Sequence, residues 1–328
     1  MTPREGFDPR AACMHILVTG ATGFIGGALL PQLAQGGHHV RTLLRPGRAS
    51  PRLPRGLPVE VALASLTDAR GLRAALVDID AVVHLAGGER GGRGLPLMVS
   101  NVIGTRNLVE AAEQAGVKRW IFLSHLGADR ASAYPLLRAK GQAEDLIHRS
   151  SLPSTILRSA WVYGPGDHFT TSIAMTLAVS PLVYWIPGDG RSLLQPLWVE
   201  DLVAAVAWCL DDEAMAGQTY EIGGPEFLSF VDVIEMVMRA SGRRRWIAAA
   251  RPPYLRAWLR LGELVLPRPA ITTFWPDYLG VHRTAELATL PRAFGLQPAR
   301  METRLGFLAR RPWGREMLSR QLAARITG

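Results

Sequence analysis

The chain has 328 residues, of which 48% are hydrophobic, so it can bury the core of a large domain and that of a smaller companion domain. No apolar run reaches membrane-spanning length. Its formal net charge is +9, but the arginines are scattered in short clusters such as 243–245 without interleaved aromatic residues, which argues against nucleic acid as a partner. Because the only cysteines, Cys13 and Cys209, supply neither a disulfide framework nor a metal-ligand cluster, we expect no metal and a cytoplasmic location.

The first structural signal is a strand, a glycine turn and a helix in immediate succession. Residues 1–12 are polar and lack the apolar core of a signal peptide, so we expect a disordered extension before this signal. The apolar run 15–19 has the length of a strand, and Gly20, Gly23 and Gly26 follow it. These glycines permit a tight exit from the strand, a close approach to a pyrophosphate and close packing of the helix on the sheet. The pattern predicts a dinucleotide site, to which we assign Gly20, Thr22, Gly23, Phe24, Ile25 and Gly26.

The second predicted strand, 39–44, ends at Arg45. An Asp or Glu at this position would accept hydrogen bonds from the ribose 2′-hydroxyl, whereas an arginine offers its planar fork of donors to a 2′-phosphate. The sequence therefore favours NADP(H) as the cofactor. NAD(H) is the alternative if Arg45 is an ordinary exposed arginine.

Strand and helix signals then alternate, which is typical of a parallel sheet covered by helices on both faces. Strands are predicted at 59–62, 81–86, 119–124 and 154–158, and helices at 68–76, 96–115 and 134–148. The strand 81–86 contains His84, which we expect to be a hydrogen-bonded core histidine. Its last residues, Leu85 and Ala86, and the following Gly87 lie at the edge where open α/β sheets bind ligands. The glycine-rich stretch 89–94 is either a mobile lid or a solvated linker. The predicted fold class is α/β, a doubly wound parallel sheet of the Rossmann type with a smaller C-terminal α/β domain.

Changes in composition suggest the domain boundaries. The dinucleotide-binding domain takes 13–165 plus 192–222, the smaller domain takes 166–191 plus 223–310, and a basic tail takes 311–328. Trp161, Phe169 and Trp185 would line a pocket for a small apolar or quinone-like ligand if their side chains converge. The amphipathic segment 254–266 is too short and too charged to span a bilayer, and we expect a helix packed on its own domain, with docking on a bilayer or a partner as the alternative.

A set of short motifs runs through most of the chain: the glycine turn 19–26, Leu85–Gly87, Asn101 with Gly104 and Thr105, and the segments 157–167, 195–201 and 220–225. Together they resemble the short-chain dehydrogenase/reductase superfamily, in its extended or atypical, NAD-dependent epimerase/dehydratase-like branch. The segment 269–308 is similar to the nucleotide-binding accessory subunit of respiratory complex I. The resemblance implies a bound NAD(P), a substrate pocket formed with the smaller domain, and a respiratory or membrane-associated protein as a partner.

The expected catalytic residues depart from that family's pattern. Classical members place a Tyr four residues before a Lys, whose ammonium holds the ribose and lowers the pKa of the phenol so that it can transfer a proton. Here Lys140 fits the lysine, but the residue four positions earlier is Leu136, and Tyr134 would lie on the far side of the helix. The usual Ser or Thr would fall at Leu126, with Ser124 two residues upstream.

Two explanations fit this departure. In the first, the protein binds the nucleotide through residues that include Ser124 and Lys140, without conventional turnover, and supports a redox assembly or a quinone-linked pathway at the inner face of a membrane. In the second, it is an NADPH-dependent reductase, epimerase or isomerase in which Lys140 transfers the proton, with His125 as the other candidate acid. The sequence leaves open whether the protein is an enzyme. A third hypothesis, an RNA-associated basic protein, depends on charge alone.

Overall fold

Two compact units make up the part of the chain that the computed structural model describes, which comprises residues 13–47, 53–54, 56–87, 97–266, 269–279 and 281–326. The sheet unit takes the described residues of 1–159, 199–222 and 288–297, and the second unit takes those of 160–198, 223–287 and 298–328. The predicted extension 1–12 and the glycine-rich stretch 89–94 lie outside the described residues.

The secondary structure follows the predicted alternation in the first half of the chain. The described strands are β1 (His15–Thr19), β2 (His39–Leu44), β3 (Val59–Leu63), β4 (Ala81–His84), β5 (Arg119–His125), β6 (Ser154–Ser159), β7 (Val162–Tyr163), β8 (Val183–Pro187), β9 (Leu193–Leu194), β10 (Leu197–Trp198), β11 (Thr219–Ile222), β12 (Leu228–Ser229) and β13 (Trp246–Ala250). The described α-helices are α1 (Phe24–Gln35), α2 (Ala69–Ala75), α3 (Gly104–Gln114), α4 (Pro135–His148), α5 (Phe169–Val179), α6 (Val199–Asp211), α7 (Phe230–Ser241), α8 (Pro252–Val265), α9 (Phe274–Tyr278), α10 (Thr289–Phe294), α11 (Met301–Arg304) and α12 (Trp313–Ile326). A π-helical segment, Val99–Ile103, leads directly into α3, so the first part of the helix predicted at 96–115 is not regular α-helix.

The sheet unit is built on seven parallel strands in the order β3-β2-β1-β4-β5-β6-β11. Because β1 pairs with both β2 and β4, the strand order reverses at β1, and the carboxyl ends of β1 and β4 flank the crevice where such sheets bind ligands. The register places Thr19 beside His84 at that edge. This topology confirms the predicted doubly wound fold class.

Burial explains why the central strands are continuous apolar runs. All residues of β4 are buried, with His84 as its polar member, because helices cover both faces of a sheet of this class. Trp120 and Phe122 of β5 pack with Leu108 of α3 in the core of the sheet unit. The site at the carboxyl edge therefore lies on a rigid base.

The second unit has a core rich in aromatic side chains, which include Trp161, Tyr163, Phe169, Trp275, Tyr278 and Trp313. A capping box between Ser229 and Asp232 begins α7, and Gly242 ends it in the left-handed conformation. Residues 311–328, for which the sequence predicts a basic tail, include helix α12. Its first residue, Trp313, is buried and donates from Nε1 to Leu308 O over 3.0 Å, so the indole anchors the helix to the core.

Helix α8 packs only in part on its own unit: Leu255 and Leu259 are half-buried, and Glu263 accepts hydrogen bonds from Thr273. None of its described side chains is buried, and several large apolar ones are exposed. None of the described helices is both long enough and apolar enough to cross a membrane.

Candidate functional site

The glycine turn between β1 and α1 is closed by backbone contacts that leave little room for side chains. Gly20 has φ +76°, and a Cβ there would lie 2.8 Å from Ala86 N. A Cβ on Gly26 would collide with the backbone of Gly20 and Ala21. Gly23 differs, because its φ is −78° and the nearest atom to an added Cβ would be Gly20 O at 3.1 Å. Gly20 and Gly26 therefore shape the turn, whereas Gly23 presents bare, exposed backbone.

A cavity of about 450 Å³ opens beside this turn. The predicted cofactor residues that line it are Gly20, Thr22, Gly23, Arg45, Leu85, Ala86 and Gly87. Its other lining residues are Thr19, Leu43, Leu44, Ala64, Ser65, Leu66, Thr67, Val99 and Ser100. Phe24, Ile25, Gly26, Ser124 and Lys140 are also predicted cofactor residues, and they are not part of this lining. The volume is that of a small-molecule site, and the place is the switch point of the sheet.

Ser65 and Thr67 are lining residues that the sequence reasoning missed. They follow β3, which pairs with β2, so the parallel register brings them to the same edge as Arg45. The two hydroxyl oxygens lie 2.9 Å apart. A polar Ser-x-Thr directly after a predicted third strand is the signal from which they could have been found. Among the described residues that line the cavity, Arg45 is charged and none carries a carboxylate.

His84 has a partner for each ring nitrogen, which confirms the prediction of a hydrogen-bonded core histidine. Nδ1 lies 2.7 Å from Thr19 Oγ1, and Nε2 lies 2.9 Å from Thr105 Oγ1. The Thr105 hydroxyl donates to Asn101 O, so it accepts from Nε2–H and leaves Nδ1 to accept from Thr19. Burial, and after it the positive charge of Lys140, lowers the pKa of His84 to about 3. The ring is therefore neutral and positions the strand ends.

Lys140 lies on α4 with its ammonium near the carboxyl ends of β4 and β5. The side chain is buried, and Nζ donates to Leu123 O over 3.0 Å and lies 4.8 Å from the centre of the Phe122 ring. A Cβ built on Gly87 would lie 3.1 Å from Nζ, so Lys140 stands behind a residue that lines the cavity.

The residues expected near Lys140 in the family pattern are aliphatic here. Leu136 lies one turn earlier on α4 and is buried. Tyr134 precedes the helix as its N-cap, with extended backbone, so it does not occupy the helical position that a phenol would need. Leu126 is buried, and its N–H is bonded to Ser159 O at 3.0 Å.

Ser124 and His125 end β5, close in sequence to the Leu123 carbonyl that holds Lys140. Ser124 is fully buried, and among the described residues its Oγ has no hydrogen-bond partner. His125 is partly buried. The lining of the described cavity includes neither residue.

The three aromatic residues predicted to line a substrate pocket do not converge, and that prediction is wrong. Trp161 and Phe169 stack with ring centres 3.9 Å apart, and both are buried in the core of the second unit. Trp185 is 61% exposed, because β8 buries the side chains on either side of it, Tyr184 and Ile186, and turns the intervening one outward. Two of the three residues stabilise the core, and the third lies on the surface.

Within the part of the chain that the structure describes, no group of three His, Cys, Asp or Glu side chains is arranged to hold a metal ion.

Known proteins are similar to this chain in sequence and in fold. Residues 20–176 match a family described as NAD(P)H-binding. Over 248 residues the chain is 32% identical to the Arabidopsis thaliana protein named NADH dehydrogenase (ubiquinone) 1 alpha subcomplex subunit 9, mitochondrial. The matched region covers 71% of this chain and 60% of that protein. Over 195 residues it is 32% identical to the ceramide reductase of Caulobacter vibrioides (strain NA1000 / CB15N). This matched region covers 59% of this chain and 60% of that protein. The chain thus spans about 60% of the length of these two relatives.

A solved structure with the same fold is that of the Bordetella bronchiseptica enzyme WbmG in complex with NAD. It matches with a TM-score of 0.69 and 20% identity, over 94% of this chain and 96% of the other. At this identity the likeness establishes the fold alone.

Proposed function

The chain belongs to the NAD(P)-binding, epimerase/dehydratase-like family of short-chain dehydrogenases/reductases, and on that premise we propose that it holds NADP(H) at the glycine turn without the tyrosine chemistry of classical members. Its role would be to support a redox assembly or a quinone-linked pathway. The observation that carries the proposal is the pair formed by Leu136 and Lys140 on α4.

Of the tyrosine and lysine that classical members use together, this pair keeps the lysine and has a leucine in place of the tyrosine. The Lys140 ammonium is held by Leu123 O at the carboxyl end of β5, which suits a group that hydrogen-bonds a ribose. Residues four apart on a helix share a face, so Leu136 presents an aliphatic side chain where a phenol would stand. Without that hydroxyl, the proton transfer that accompanies hydride transfer has lost its ordinary donor.

Arg45 supports NADP(H) over NAD(H). It is exposed at the end of β2 and lines the cavity, whose described lining has no carboxylate to accept from a ribose 2′-hydroxyl. The Ser65 and Thr67 hydroxyls lie at the same edge and offer further donors to a 2′-phosphate. NAD(H) is the alternative cofactor.

The supporting role draws on the relative whose name identifies it as a subunit of NADH dehydrogenase. A nucleotide that binds only the native state stabilises it by mass action, by about 2.7 kcal/mol at a ligand concentration 100 times Kd. Binding without turnover is thus sufficient for a structural role. We place the protein in the cytoplasm, next to a membrane-associated partner.

A second candidate function is an NADPH-dependent reductase, and the ceramide reductase among the relatives favours it. A bound NADPH would supply the hydride to a carbonyl carbon, and Lys140 Nζ would donate a proton to the carbonyl oxygen. Nζ is buried, and His125 is the other candidate donor.

The two candidates are distinguished by purifying the protein, identifying released nucleotide, and following NADPH absorbance with quinones and carbonyl compounds. Lys140→Met is the test variant, and Lys118→Met is the matched control, because Lys118 is the other lysine of the chain and pairs with Asp80 at the surface. Retained NADP(H) without turnover supports the proposal. Turnover that Lys140→Met abolishes and Lys118→Met preserves supports the reductase. Absence of any nucleotide affinity would contradict both.

A further inference from the structure

Helix α8 has two apolar faces, and only one of them is covered. Leu255, Leu259, Gly262 and Leu266 follow the i, i+4, i+7, i+11 spacing of a single helical stripe and are partly buried. A second series with the same spacing starts one residue earlier, and its side chains are exposed: Tyr254, Trp258, Leu261 and Val265. One residue turns an α-helix by about 100°, so the second stripe points away from the first. Contacts within the protein account for the first stripe and not for the second.

Leu264 extends the exposed stripe, and we call the five side chains Tyr254, Trp258, Leu261, Leu264 and Val265 the α8 face. Trp258 is 71% exposed and Leu264 is 80% exposed. A contiguous apolar surface of this kind, with an indole and a phenol among aliphatic side chains, is typical of a site that meets another apolar phase.

The border of the α8 face is basic. Arg256 and Arg260 lie one turn apart in the same row as Leu264, and both are exposed. The one acidic residue of the helix, Glu263, accepts from Thr273 N at 2.7 Å and from Thr273 Oγ1 at 3.0 Å. Residues 239–266 contain seven arginines and a single carboxylate. The helix thus combines an apolar stripe with positive charge along its edge.

We propose that the α8 face binds the surface of a bilayer that contains anionic phospholipids, with the helix lying parallel to the membrane plane. The apolar side chains would enter the boundary between headgroups and acyl chains, and the arginines would contact lipid phosphates. A second copy of this chain is a poorer occupant, because it would place the same arginines against each other on two molecules of net charge +9. The α8 face belongs to the second unit, and its binding to a bilayer would not require a bound nucleotide.

The test is sedimentation of the full chain with vesicles of phosphatidylcholine alone and of phosphatidylcholine mixed with phosphatidylglycerol. The apolar variant is Trp258→Glu with Leu264→Glu. Its matched control is Leu318→Glu with Leu322→Glu, because those leucines are also exposed and lie one turn apart on α12 of the same unit. The charge variant is Arg256→Gln with Arg260→Gln, which should weaken binding to anionic vesicles by about fivefold per arginine.

We expect the wild type and the α12 control to bind anionic vesicles better than neutral ones, and the apolar variant to bind on the order of tenfold more weakly or worse. Amide hydrogen exchange gives a second measurement that needs no variant, since anionic vesicles should protect 254–265 and leave α12 unchanged. Equal binding of the wild type and the apolar variant would overturn the proposal. So would self-association of the wild type without lipid that the apolar variant abolishes, since the occupant would then be a second copy.

Discussion

Thr19 Oγ1 donates a hydrogen bond of 2.7 Å to His84 Nδ1 and accepts one of 3.2 Å from Ala86 N. This relationship joins the end of β1 to the end of β4, next to the glycine turn. Leu85 and Ala86, which follow β4, line the cavity. Because the side chains of Thr19 and His84 are both buried, losing either partner would leave a polar group without water or protein to satisfy it. The hydrogen bond therefore couples the shape of the site to the stability of the sheet.

A pH dependence of stability follows from this pair. His84 is neutral in the folded state, with its pKa at about 3, whereas in the unfolded chain it takes up a proton below about 6.5. The unfolded state then binds more protons, so the free energy of unfolding should fall as the pH drops from about 6.5 towards 3, with a contribution of about 1.4 kcal/mol per pH unit.

Denaturant unfolding of the wild type and of His84→Gln across this pH range would measure that contribution. We expect the variant to lose about 1–3 kcal/mol at pH 7.5 and to show a shallower pH slope. His148→Gln is the control, because His148 is exposed in the last turn of α4. Parallel slopes for His84→Gln and the wild type would contradict the assignment.

The glycine turn supplies a second matched pair of variants. At Gly23 an added Cβ would stand at the cavity, 3.1 Å from Gly20 O, whereas at Gly27 nothing lies within 4 Å. Gly23→Ala should weaken NADPH binding on the order of tenfold or more, because the methyl group would obstruct the pyrophosphate. Gly27→Ala should keep the affinity and raise the stability of α1 by about 0.5–1 kcal/mol. Isothermal titration with NADPH measures the first effect and thermal unfolding the second. Equal affinities for the two variants would remove the turn from the binding site.

Cofactor preference should depend on Arg45. A charge-assisted hydrogen bond contributes about 1.5–3 kcal/mol, so Arg45→Ala should raise the Kd for NADPH by about tenfold or more and leave the Kd for NADH nearly unchanged. Arg149→Ala is the control, since Arg149 is exposed at the C-terminal end of α4 and is not among the residues that line the cavity. If both dinucleotides weaken equally in Arg45→Ala, the arginine does not read the 2′-phosphate.

The two tryptophans of the rejected pocket should respond differently to truncation. Trp161 is buried in the aromatic core, and Trp161→Ala should cost about 3–5 kcal/mol of unfolding free energy through the cavity it leaves. Trp185→Ala should change stability by no more than about 0.5 kcal/mol, because the side chain is exposed. Thermal unfolding of both variants provides the comparison. A large loss in Trp185→Ala would show that this side chain has a structural contact.

The sequence alone determined the sheet unit to a large extent. The bounds of β1 and β2 agree with their predicted runs, and the order of strand, glycine turn and helix identified the turn that forms the cavity wall. These features are local: apolar periodicity, the steric freedom of glycine and the place of Arg45 after a strand are all encoded within a few neighbouring residues.

Only the tertiary structure decided which distant residues meet. Ser65 and Thr67 reach the cavity through the register of β3 on β2, and Lys140 reaches Leu123 O through the packing of α4 on the sheet. Likewise, the apolar spacing of α8 is the same for its covered and its exposed stripe, so periodicity could not tell which face the protein buries. Burial and contact are properties of the whole packed chain, because each depends on side chains far away in sequence, and no local pattern contains them.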